Sequence, residues 1–455
     1  MANRLIFLII CAAIILTTLL YGAVHQPILV IFYAGAASVL LLWVFDSFRS
    51  GELRFSTSPL QIPLAALIIF GLIQIIPFGS LAETSGVGNI PRTISYEPFA
   101  TQSTVLHLIA LLIFFAAMLS FIDNAKRLRK IVLVITIFGF LYAFYSILQA
   151  VLSPTRIYGI YEPRFATPFG SFVNRHNFAA FMEMSIAVPL GLIFVGAVPR
   201  DKRLLYVTAI GLMGIALLLS GSRGGLVALL AEIFFLIILT TKTKSSGQIA
   251  LKIGLAIALF ATIIVGSVLI GGESSLTRFA ETATSADITT NRTHIWNVTL
   301  SVIKNNALFG AGLGAFPQVY TAFDTLNGME RVEQAHNDYL QILSDAGVVG
   351  LIIGGFFVFF LFRDGWRNTK TKNTFRRGVA VGALAGCFAV FIHSIFDFVL
   401  HTTAISMMFL TLCALVSISG QKSEDDAEAS PRERRKKSSS ASVTSIEKKR
   451  KKEDL

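Results

Sequence analysis

Residues 204–240 read LLYVTAIGLMGIALLLSGSRGGLVALLAEIFFLIILT. Two apolar runs flank one polar turn, Ser220-Gly221-Ser222-Arg223-Gly224-Gly225, and Glu232 is the sole carboxylate in the stretch. Runs of this length suit a hydrocarbon solvent, because a helix satisfies its own backbone N–H and C=O groups and about 20 apolar residues cross a bilayer core. The stretch therefore reads as two membrane helices joined by a short turn.

The pattern repeats outward in both directions. Further runs at about 5–22, 27–46, 59–78, 104–122, 130–152, 177–198, 249–270, 346–362, 378–399 and 401–418 bring the expected total to twelve helices. Of the 455 residues, 54% are apolar and 15% charged, with a mean hydropathy of +0.68; a soluble domain carries about 25% charged residues. The expected fold class is an all-α, polytopic integral membrane protein. Cytosolic enzymes, secreted disulfide scaffolds and disordered chains are excluded. The first run leads into His25, Gln26 and Pro27 rather than a small-residue cleavage site, so it reads as a retained helix. Cys11, Cys387 and Cys413 all lie in apolar runs, which argues against a zinc site or disulfide framework.

The net charge of +12 is distributed by topology. With the N-terminus inside, thirty of the thirty-nine Lys and Arg residues fall in inner segments, as expected for loops that stay cytoplasmic. Both termini are then cytoplasmic, and a large external loop, 271–345, separates the ninth and tenth helices. Residues 1–420 form the membrane domain. Residues 421–455, rich in Ser, Lys, Arg and Glu, are expected to be a disordered cytoplasmic tail, with Arg432–Lys437 and Lys448–Lys452 placed to grip anionic lipid. No nucleic-acid partner is expected, and no internal repeat suggests an inverted-repeat transporter.

The external segments, roughly 79–103, 153–176 and 271–345, carry the informative residues. In the last, Asn291 is placed to cap a helix through about Asn306 with Ile295, Thr299, Val302 and Ile303 on one face; the pattern fits a helix at the membrane surface or one packed on the bundle. Gly310, Gly312 and Gly314 in FGAGLGAF have the look of a phosphate loop, on weak spacing evidence. Arg223 opens a helix, where free N–H groups and the dipole favour anions; Arg292 occupies a similar position. Histidine is the residue type suited to taking and returning protons under physiological conditions, which makes His336, in EQAHNDYLQ, a candidate for proton transfer, while Asn337 is a candidate cap and Asp338 a favourable first-turn charge. Arg164, Asn174, Arg175, His176 and Asn177 crowd the mouth of the sixth helix. Glu183, Glu232, His393 and Asp397 are ionisable groups within apolar surroundings, which marks them for function or for pairing between helices.

There is no Walker loop, no strand-plus-GxGxxG unit and no inner loop long enough for a nucleotide-binding domain. A group-transfer substrate must therefore arrive activated. No HExxH, paired-Asp motif or Cys/His cluster stands on the external face, so metal is not expected and arginines would supply the positive charge for a diphosphate.

SRGG at a helix start, a later NRTHIW segment with FGAGLGAF, and AHNDYLQILSDAGVVGL together resemble the O-antigen ligase and polymerase family of integral membrane glycosyltransferases. The similar block spans about 204–361. NRHNFAAFMEM also resembles the family pattern, with Asn174-Arg175-His176-Asn177 departing from it at His176. The resemblance implies transfer, without cofactor, of a glycan from undecaprenyl diphosphate to lipid A core, a growing glycan or a protein hydroxyl, at the external face of the bacterial inner membrane. It further implies that Arg223 and Arg292 hold the diphosphate and that His336 is the general base. Arg164, Asn174, Arg175 and Asn177 are further candidates for substrate binding. A transporter or lipid flippase is the alternative from another class, with Glu183, Glu232 and Asp397 coupling ions.

Overall fold

The computed structural model describes residues 1–80, 90–241, 292–326 and 331–420, with residue 88 and a few positions between 253 and 265. The described residues are helical apart from turns and three isolated β-bridges. Before the large loop the helices are α1 Ala2–Leu19, α2 Gln26–Ser50, α3 Gln61–Gln74, α4 Pro98–Phe121, α5 Ala125–Leu152, α6 Arg175–Val195, α7 Arg203–Leu219 and α8 Arg223–Thr240. After it come α9 Arg292–Asn305, α10 Phe316–Phe323, α11 Asp338–Asn368, α12 Thr374–His393 and α13 Thr403–Ile418.

Eleven of the twelve expected runs coincide with a described helix; the ninth, 249–270, falls largely outside the described residues, as do Asn291 and the tail. Nine described helices are long and apolar enough to cross a membrane, and α3 and α13 are shorter apolar helices. The termini follow local chemistry. Asn124, Asn174, Ser222, Asn337 and Asn373 each cap a helix by accepting a backbone N–H, which satisfies donors the first turn leaves free.

Helix α6 is the centre of the bundle, with every residue from Asn177 to Leu192 buried. Its closest neighbour is α12. A Cβ on Gly191 would collide with the backbone of Gly382, and Gly378 and Gly386 face Leu192 and Ala187 in the same seam. Small residues let two helix backbones approach where lipid offers no competing hydrophobic drive. That approach brings Glu183 of α6 to 3.0 Å from His393 Nδ1 of α12.

Helix α9 packs on the bundle rather than lying free at a membrane surface. Val298, Thr299 and Val302 are buried, and Trp296 Nε1 donates to Ala335 O at 3.0 Å. The 307–314 loop is equally committed. Gly310, Gly312 and Gly314 all have positive φ and abut the Asp345–Ala346 backbone, Ser95 and Thr104 respectively. Its amides are taken by protein acceptors: Gly312 N by Asp345 O (3.0 Å), Leu313 N by Gln74 Oε1 (3.0 Å) and Gly314 N by Asp345 Oδ2 (3.2 Å). The glycine loop is therefore a close-packing device and not an open phosphate cradle. Helix α11 is interrupted at Gly347 (φ 60°), where the Leu308 backbone leaves no room for a side chain.

Candidate functional site

The starts of α6, α8, α9, α11 and α13 and the end of α12 meet at one end of the bundle. Between α12 and α13 the chain turns through Ser394–Thr402, and Asp397 lies on that turn with its side chain only 3% exposed. A buried carboxylate is costly unless charged or hydrogen-bonding groups surround it. Three elements supply them. Arg292 Nη2, at the start of α9, lies 3.1 Å from Asp397 Oδ2, and Arg292 Nη1 donates to Phe396 O. His336 Nδ1, just before α11, lies 3.2 Å from Asp397 Oδ1. His176 Nδ1, in the first turn of α6, lies 3.8 Å from Oδ2. The Phe398 amide also donates to Oδ1, at 3.0 Å.

Burial alone would raise the Asp397 carboxyl pKa. The His336 hydrogen bond and the charges of His176 and Arg292 more than offset it and hold the group well below the usual carboxylate range. Asp397 is therefore an anion that orients two imidazoles and a guanidinium.

His336 adopts φ 50°, a left-handed conformation that costs a non-glycine residue about 1–2 kcal/mol. Its neighbours over-determine it. Ala335 N donates to Gln341 Oε1 (2.7 Å), Asn337 Nδ2 to Ile395 O (2.9 Å) and Asp338 N to Ser394 O (2.9 Å). The ring meets Phe398 edge-on at 4.8 Å between centroids. Strain stored at a side chain aimed into a polar cluster is the usual signature of a functional residue.

Arg223 is the first residue of α8 and half-buried. Its predecessor Ser222 joins the cluster directly, because Ser222 Oγ lies 2.9 Å from His176 Nδ1 while accepting Gly225 N at 3.2 Å. Gly224 and Gly225 lack side chains where the His393 ring and Ala179 pack against α8, so the two glycines of SRGG admit the imidazole of α12. Among the second-rank candidates, Asn174 Oδ1 caps α6 through His176 N at 2.9 Å, and Asn177 Nδ2 donates to Thr402 Oγ1 at 2.6 Å. The Arg175 guanidinium approaches Gly221, whereas Arg164 stands exposed on the preceding loop.

The structure thus brings Arg292, His336 and His176 onto one carboxylate, sets Arg223 one residue from the serine that joins them, and leaves Arg164 apart. The sequence marked Asp397 as anomalous but not as the common anchor, and it did not mark Ser222.

Residues 208–355 match the O-antigen ligase family model. The match begins in α7, runs through Arg223, Arg292 and His336 and ends in α11, and it supports the O-antigen ligase and polymerase family that the motifs resemble. No curated protein matches the chain.

Proposed function

We propose that this chain is an inverting membrane glycosyltransferase that moves a glycan from undecaprenyl diphosphate to an acceptor hydroxyl at the external face of the bacterial inner membrane. Lipid A core is the acceptor in the ligase form of this reading; a growing glycan or a protein hydroxyl serves in its polymerase and protein-glycosylating forms. The observation that carries the proposal is the shared carboxylate: Asp397 binds the histidine and one of the two arginines, Arg292, that the family resemblance nominates. The family match over 208–355 and the bias of Lys and Arg toward the opposite segments support it.

The chemistry follows from the hydrogen bonds. With Nδ1 of His336 donating to Asp397, Nε2 carries the lone pair. Nε2 takes the acceptor hydroxyl proton, the oxygen attacks the anomeric carbon from the face opposite the leaving group, and the bond to the diphosphate breaks with its electron pair on the phosphate oxygen. Among the described residues Arg292 directs two donors to Asp397 and Phe396 O, and a planar guanidinium has five N–H donors in all, enough to reach a phosphate as well. Arg223, at the start of α8, adds charge at the positive end of the helix dipole. Base assistance accounts for about 10²–10⁴ in rate, and electrostatic stabilisation of the leaving group supplies the rest.

The test is reconstitution of the full chain with a lipid-linked glycan and candidate acceptors. Wild type forms product with an inverted anomeric centre and His336→Ala does not; equal product from both overturns the assignment.

A further inference from the structure

The two segments that build the Asp397 site are joined a second time. Residues 336–338 carry a histidine then an aspartate, while 397–401 carry an aspartate then a histidine. His336 pairs with Asp397 (3.2 Å), and Asp338 Oδ1 pairs with His401 Nδ1 (3.0 Å). The result is a pair of crossed His–Asp dyads. Residues 336 and 338 are at most about 7 Å apart along the chain, so both dyads lie within the span of one sugar diphosphate.

The dyads differ in what else the carboxylate serves. Asp397 is shared with the Arg292 cation, which balances its charge before His336 feels it. The further groups on Asp338, Ser394 Oγ (2.8 Å) and Leu400 N (3.3 Å), are uncharged. Asp338 therefore exerts its full charge on His401. Two imidazoles in one site with differently compensated partners are suited to opposite proton roles. Nδ1 of His401 is fixed by Asp338, and the side chain is 37% exposed, so Nε2 remains for a ligand.

We propose that His401 is a second substrate-contacting residue of this site, an imidazolium that donates from Nε2 to a phosphate oxygen of the lipid-linked diphosphate while His336 acts as the base. The inference rests on the transferase reading and deepens it. The groups facing His401 are Asp338 and Asp345 from α11 and His107 from α4. Burial opposes the charge on His401, but the hydrogen bond and charge of Asp338, with Asp345, outweigh it and raise its pKa above the ordinary value. The charged form is therefore favoured over that of a free imidazole and is lost as pH rises through the raised value.

The test measures binding of glycan-free undecaprenyl diphosphate to the purified full chain in nanodiscs, with phosphatidylglycerol as a parallel phosphate-bearing probe. His401→Ala and His401→Gln should each weaken binding about 10- to 100-fold, the range for a hydrogen bond to a charged group. Wild-type affinity should fall as pH rises, and that fall should vanish in His401→Gln. The glutamine variant keeps the readout intact where the alanine variant does not fold. A loss with undecaprenyl diphosphate alone assigns the contact to the donor; a parallel loss with phosphatidylglycerol assigns it to phosphate headgroups in general. Unchanged affinity and pH dependence in both variants overturns the proposal. Failure of wild type to transfer any glycan would refute the transferase reading and leave this binding result standing.

Discussion

The two ends of the bundle use charge in opposite ways. At the end formed by the close of α2 and α4 and the starts of α5 and α12, charges pair near the surface: Arg54 with Asp123 at 3.4 Å and Arg127 with the same carboxylate at 3.3 Å, Asp123 being 36% exposed. Arg129 lies over the Phe375 ring. At the other end one almost fully buried carboxylate binds Arg292, His336 and His176, drawn from three segments far apart in sequence. Exposed pairs are worth about 0–1 kcal/mol each and are replaceable. Removing one partner from a buried cluster strands the others and costs about 3–5 kcal/mol. On the proposed reading, the first arrangement belongs to the cytoplasmic side and the second carries the chemistry.

The sharpest way to break this contrast is at Asp397. Asp397→Asn keeps the volume but removes the anion that orients His336 and compensates Arg292, and transfer should fall about 10²–10⁴-fold in an assay with lipid-linked glycan. Activity within a few-fold of wild type would make the carboxylate a packing feature. Arg292→Lys should cost about tenfold, chiefly in donor KM, because an ammonium cannot span Asp397, Phe396 O and phosphate as a planar guanidinium does. A loss confined to kcat would contradict that division of roles.

Stability against pH sharpens the same comparison. The folded pKa of Asp397 is depressed, so its stabilisation is complete above the unfolded value of about 3.9 and is lost only as pH falls through the folded one. The melting-temperature gap between wild type and Asp397→Asn in detergent should begin to narrow only below about pH 4; a gap that closes between pH 8 and pH 5 would place the titration elsewhere. The smallest effect is expected at the opposite end. Asp123→Asn should change stability by less than about 1 kcal/mol and leave transfer unaltered.

The helices were legible because hydrocarbon solvent imposes one rule on every spanning segment, and α1, α2, α4 to α8, α11 and α12 all obey it. Residue types at the site were legible too, since Arg223, Arg292 and His336 are polar groups at helix starts. Their shared partner was not. His336 and Arg292 stand 61 and 105 residues from Asp397, and no local periodicity encodes a contact over that distance. It depends on the α6–α12 glycine seam and on the turn after His393, both properties of packing. The glycines of 310–314 were ambiguous for a related reason: positive φ and missing side chains serve anion binding and tight backbone packing equally, and only the acceptors on their amides distinguish the two.

The measurement closest to the central claim is a double-mutant cycle on transfer rate with Asp397→Asn, His336→Ala and the combined variant. If Asp397 acts by orienting His336, removal of the histidine already forfeits most of what the carboxylate supplies, and the combined variant should be little slower than the slower single one. Losses that multiply in full would show the two residues working independently and would contradict the account.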